Sequence, residues 1–207
     1  MTLRNAARGV VAALCVAAQG VSGVAAAQPA VQGLQEPTPA EAMRAFQRVE
    51  AWVAAWAAPG PGEVERGPEG PFPIGGACVT VRLGGTVLAR EVSLDAGGDG
   101  VARAAAAAMS AVEERLAVVR DATWRERMTA LAPTLELTLE LAGPMVPLTE
   151  AELASPSSML SPGLHGVAVR VSDSWRATFP AEMLASGASF EIELSSLVAR
   201  AVGDPQL

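Results

Sequence analysis

Cys78 and His165 are the residues with which this sequence could do covalent chemistry. A thiolate nucleophile needs a base close by, and His165 is the chain's one imidazole. Each stands at the head of a predicted strand, before the matching runs Val79-Thr80-Val81-Arg82-Leu83 and Val167-Ala168-Val169-Arg170-Val171. A catalytic Cys78/His165 pair would require those two strand starts to meet. Two plainer roles compete with it. In an alternating strand Cys78 serves as a small buried hydrophobe, and within Gly163-Leu164-His165-Gly166 a turn would use the imidazole's hydrogen bonds locally.

Arg82 and Arg170 fall on the strand faces opposite the valines. As guanidinium forks they could bind an anionic group as ligand. Alternatively they form cross-strand ion pairs with Glu136 and Glu140, an ordinary and weak arrangement. No metal site is expected, because zinc asks for three or four Cys, His or carboxylate ligands. Asp95 and Asp99 among glycines are a poor start for a hard-cation site. Gly75-Gly76 and Gly97-Gly98 read as turns, and neither a phosphate-binding loop nor a serine elbow is present. No cofactor is expected.

These residues depend on elements whose periodicity is legible. Leu135, Leu137, Leu139 and Leu141 alternate with Glu136, Thr138, Glu140 and Ala142, which describes an inner strand with a leucine face on helices. Residues 76–83 and 86–92 alternate around Gly84-Gly85 as a β-hairpin. A second hairpin is predicted for residues 166–171 and 175–179 around Ser172-Asp173-Ser174. The two hairpins match, with Ala89 and Ala177 at the same offset. They suggest a strand–strand–helix unit used twice, with Arg82 and Arg170 equivalent.

Thr38-Pro39-Ala40-Glu41 is a capping box that opens an N-terminal helix over 38–58, with Phe46, Val49, Val53 and Trp56 on one stripe. Pro59-Gly60 is expected to stop it, and 59–75 reads as a mobile loop. An alanine-rich helix follows, with Met109, Val112, Leu116 and Val119 on its buried stripe. A shorter helix carries Trp124, Met128 and Leu131. A final one from about Ser189 to Val202 buries Phe190, Leu194, Leu197 and Ala201. The long, proline-containing segment 143–163 has little periodicity and is a candidate functional loop. Together these predict a single α+β domain over 38–207, with a mixed or antiparallel sheet of about five strands covered by amphipathic helices.

The N-terminus reads as an export signal over 1–27: Arg4 and Arg8, an apolar run from Gly9 to Ala18, then Ala25-Ala26-Ala27 as a cleavage site. Residues 28–37 follow as a linker. A secreted or periplasmic chain with no stable membrane span after cleavage is expected, and Cys78 would be its only cysteine. The net charge of −7 and the lack of a basic cluster exclude nucleic acid as a natural partner. A protein partner or an anionic small molecule remains open.

From Cys78 onward the order of pieces resembles the AMMECR-type domain. Cys78-Val79-Thr80-Val81 looks like that family's first strand, and Leu135 to Leu141 with Val146-Pro147-Leu148 looks like its central strand and following loop. Gly163-Leu164-His165-Gly166-Val167 resembles its Gly-x-His-Gly segment, and Thr178-Phe179-Pro180 its downstream turn. The family's Arg-Gly-Cys-Ile-Gly run is absent, since Arg90 is followed by Glu91-Val92-Ser93. The resemblance therefore implies a fold and carries Cys78 and His165, without implying a reaction.

Three functions follow as expectations. The first is a non-catalytic binding or accessory module built around Arg82, Arg170 and His165. The second is a small hydrolase or transferase using Cys78 with His165. The third is a structural envelope protein, for which the first helix with its tryptophans is the support. Whether the chain is an enzyme stays open at this point.

Overall fold

The computed structural model describes residues 10–11, 37–57, 75–94, 100–143, 145, 148, 160–161, 163–171 and 174–202. Almost all of the segments expected to be a signal, a linker and, over 59–75, a loop, and most of 143–163, lie outside the described residues. The chain divides into two compact units, one containing Pro37–Leu141 and the other Ala142–Leu207.

In the first unit, helix α1 (Pro39–Ala54) starts where the capping box places it. The Thr38 hydroxyl accepts from the Glu41 backbone N–H at 3.3 Å, and the Glu41 carboxylate accepts from the Thr38 N–H at 2.7 Å. Two otherwise orphaned donors are thereby satisfied. The helix ends before Pro59-Gly60. Trp56 takes a left-handed backbone (φ 43°), with its N–H on the Val53 carbonyl and the Ala57 N–H on the Trp52 carbonyl. This is a Schellman closure, usually built on glycine.

Helix α2 (Gly100–Arg115) ends the same way. Ala117 is left-handed (φ 51°), and the N–H groups of Ala117 and Val118 reach the carbonyls of Glu114 and Glu113. The predicted buried stripe is therefore cut short. Met109 and Val112 are buried, but Leu116 and Val119 lie beyond the helix and are exposed, Val119 by 70%. Ala104, Ala105 and Ala108 are fully buried, and α2 packs on both strands of the first hairpin. Small side chains permit that close approach. Helix α3 (Trp124–Leu131) buries Met128.

The larger sheet has the order β1-β4-β2-β3, where β1 is the two-residue strand Val10–Val11, β2 is Gly76–Leu83, β3 is Thr86–Ser93 and β4 is Leu135–Ala142. Strands β5 (Val167–Val171) and β6 (Ser174–Thr178) form a separate two-stranded sheet. The fold is α+β, but its described strands make two sheets where one of about five was expected. Alternation tells which face of a strand is apolar and leaves open which edges pair.

The second unit packs α5 (Phe190–Val202) on β5 and β6, and the short helix α4 (Pro180–Ser186) connects β6 to α5 along the chain. Leu160, Val167, Val169, Met183, Phe190 and Leu197 form its core. Leu194 packs against that core and is only partly buried. Thr178 and Arg200 both donate to the buried carboxylate of Glu193, which ties β6 to α5.

The two hairpins share their register next to the turn. Arg82 faces Val87 and Leu83 faces Thr86, just as Arg170 faces Trp175 and Val171 faces Ser174. A bulge between Val81 and Arg82 then shifts the first hairpin by one residue, so Ala89 meets Val81 while Ala177 meets Ala168. Arg82 and Arg170 thus occupy the same rung in their own hairpins.

Candidate functional site

The polar face of the first unit's sheet is built from β2, β3 and β4. Alternation along β2 puts Cys78, Thr80 and Arg82 on one side. Arg90 on β3 lies on the Thr80 rung, and its Nε donates to the Thr80 hydroxyl at 3.2 Å. Arg82 NH1 donates to the Thr138 hydroxyl of β4 at 3.0 Å, which assigns the even-numbered side of β4 to this face. Glu140 on that strand is buried, at 1% exposure, despite its charge. The inner part of this face, with Cys78, Thr80 and Glu140, is therefore closed to water.

Cys78 lies at the sealed end. It has no exposed surface, and its Sγ is 4.0 Å from the Thr80 hydroxyl. A thiol so placed cannot meet an outside electrophile unless the strand opens.

Arg82 sits at the open end of the same face and is half-buried. Among the described residues it forms no ion pair, so the expected pairing with Glu136 or Glu140 is absent. Its partner there is the neutral hydroxyl of Thr138. A guanidinium has five donors in a rigid fork, and one hydroxyl uses little of that capacity. On the neighbouring β3, burial pushes the Glu91 carboxyl above its usual range.

The other two predicted residues belong to the second unit. Arg170 stands with its guanidinium carbon 5.7 Å from the Trp175 ring centroid, a cation–π geometry. His165 is half-buried in a turn: its ring Nδ1 accepts the Ser161 backbone N–H at 2.9 Å, and the His165 backbone N–H donates to the Ser161 carbonyl at 3.0 Å. The local use of the imidazole considered from the sequence is thus present. Cys78 and Arg82 are brought onto one face, while His165 and Arg170 share the second unit.

Sequence reasoning missed Thr80, Arg90 and Thr138. Arg90 could have been found by pairing outward from Gly84-Gly85, had the bulge been foreseen. Thr138 needed knowledge that β4 lies beside β2.

Among the described residues no group of three or more His, Cys, Asp or Glu is placed to hold a metal ion. Among the same residues no helix is long and apolar enough to cross a membrane. No family model, curated protein or solved structure matches this chain.

Proposed function

We propose that this chain is an exported, non-catalytic binding module that holds an anionic group at Arg82. The observation that carries the reading is the state of that side chain: half-buried, oriented by the Thr138 hydroxyl, and joined to no carboxylate among the described residues. Partial burial lowers the effective dielectric and strengthens a charge-assisted bond to a carboxylate, sulfate or phosphate oxygen. Arg170, on the same rung of the second hairpin, extends the proposal to the other unit. The burial of Cys78 favours binding over thiol chemistry. A distant kinship with AMMECR-type domains belongs to the same proposal and rests on the short segments around Cys78, Leu135 to Leu141 and His165.

The test is thermal melting in inorganic phosphate at constant ionic strength, for the wild type and Arg82→Ala. A ligand that binds only the folded state raises the midpoint by mass action, by about 2.7 kcal/mol of stability at a hundredfold excess over its Kd. The wild type should gain and Arg82→Ala should gain little. An equal gain in both, which general salt effects produce, removes Arg82 from the reading.

A further inference from the structure

We propose that the outer edge of β3 is a docking strand for an extended acidic segment of a partner protein, which joins the sheet as its next strand. β3 ends the order β1-β4-β2-β3, so among the described residues no strand pairs with its outer edge. An open edge presents a row of backbone donors and acceptors that another chain can complete. Native edges are commonly guarded by proline or by a bulge. β3 has no proline. It does carry a bulge: Val81 faces Ala89 and Arg82 faces Val87, which leaves Leu88 as the extra residue. The bulge spares Ala89–Ser93, a regular stretch as long as an ordinary strand.

The side chains along that edge define what the added strand carries. Val92 faces Cys78, Arg90 faces Thr80 and Val87 faces Arg82, so all three share the polar face. Val87 is 43% exposed and Val92 36%, which leaves both with apolar surface to cover. Arg90 between them is half-buried and held by the Thr80 hydroxyl. Arg82 adds a second cation one strand inward. The carboxylates of the same face are Glu140, which is buried, and Glu136, which stands on β4 beyond β2. Glu91 lies on the opposite face by alternation. The β3 side of the polar face is therefore cationic, in a chain whose net charge is −7. An acidic residue beside Arg90, with apolar residues two positions away on either side, matches it. A second copy of β3 matches poorly. Antiparallel two-fold pairing centred on Arg90 sets guanidinium against guanidinium, and centring on Glu91 sets carboxylate against carboxylate. The inference goes beyond the anion site at Arg82, because it concerns the β3 edge and does not require a small anion to bind.

The experiment measures binding of a fluorescent, capped peptide Thr-Val-Thr-Glu-Thr-Val-Thr to the full chain, with backbone amide exchange followed by NMR. The symmetric order presents Val, Glu and Val on one face in either strand direction. Binding should saturate, and alternate amides of Ala89–Ser93 should become protected, as strand addition requires. Lys in place of Glu should weaken binding about tenfold, since an opposite-charge pair is lost and a like-charge pair gained. The Glu peptide N-methylated along its centre should not bind, because it cannot complete the ladder. Val92→Glu removes exposed apolar surface and adds like charge. It should weaken the Glu peptide severalfold and leave the melting midpoint in place. No saturable binding, equal binding of the Glu and Lys peptides, or binding without new protection in β3 would each overturn the proposal. Protection of the β3 edge that rises with protein concentration alone would give the edge to a second copy and overturn it as well. If Val92→Glu does not fold, the peptide series decides alone.

Discussion

The Arg82 guanidinium rests on the hydroxyl of Thr138, 56 positions along the chain, at 3.0 Å. The contact joins β2 to β4 across the polar face of the sheet. It also fixes where a flexible cation points without neutralising it. A carboxylate in the place of Thr138 would have made an ordinary cross-strand ion pair, and Glu136 and Glu140 stand two residues away on either side.

Trp56 anchors the first unit through Glu113. Its indole N–H donates to Glu113 Oε1 at 2.8 Å, and Arg120 Nε donates to Oε2 at 2.7 Å. Both Trp56 and Glu113 are buried. Trp56→Phe keeps most of the packing and leaves a buried carboxylate oxygen without its donor, so a loss of about 1–3 kcal/mol is expected. Urea unfolding with an unchanged slope would measure it. A loss below about 0.5 kcal/mol would mean that solvent replaces the indole.

Ala117 closes α2 in a left-handed conformation that costs an L-residue roughly 1–2 kcal/mol and glycine little. Its side chain is exposed, so little packing is lost on removing it. Ala117→Gly should stabilise the protein, by up to about 1 kcal/mol after the added chain entropy of glycine. A destabilised variant in the same unfolding assay would show that Ala117 contributes packing the geometry does not reveal.

The capping box makes the start of α1 sensitive to acid. The Thr38 hydroxyl bond, then the Thr38 backbone bond, and finally the Arg44 charge hold the Glu41 carboxyl below its usual range. A carboxyl depressed in the folded state adds stability above its unfolded value, and that stability disappears as pH falls through the folded value. Thr38→Ala should cost about 1 kcal/mol near neutrality. The cost should shrink below the titration of Glu41. Denaturation of the two proteins at neutral and acid pH checks this, and a cost independent of pH would contradict it.

The elements were legible because their signals are local. The Thr38–Glu41 box, the Gly84-Gly85 turn and the leucine alternation of β4 each act within a few residues, and each is where the sequence puts it. The end of α2 was not, since left-handed alanine at 117 has no signature in residue type. The same holds for Trp56, a bulky residue in a position glycine usually fills. The candidate site depended on strand order. Cys78 and Arg82 were visible as chemistry, but their opposite fates, one sealed and one at the open end, follow from what lies over and beside β2. Period two assigns a face; it does not say which stretch of that face is covered.

The most direct test of the central claim is the Nε–H resonance of Arg82, assigned through Arg82→Lys and followed while inorganic phosphate is titrated at constant ionic strength. The account predicts a saturable shift of this resonance, accompanied by the backbone amides around Thr138 and larger than at any arginine already in an ion pair, such as Arg120 or Arg127. A linear drift shared by all exposed arginines would contradict it and leave Arg82 as a cross-strand tether to Thr138.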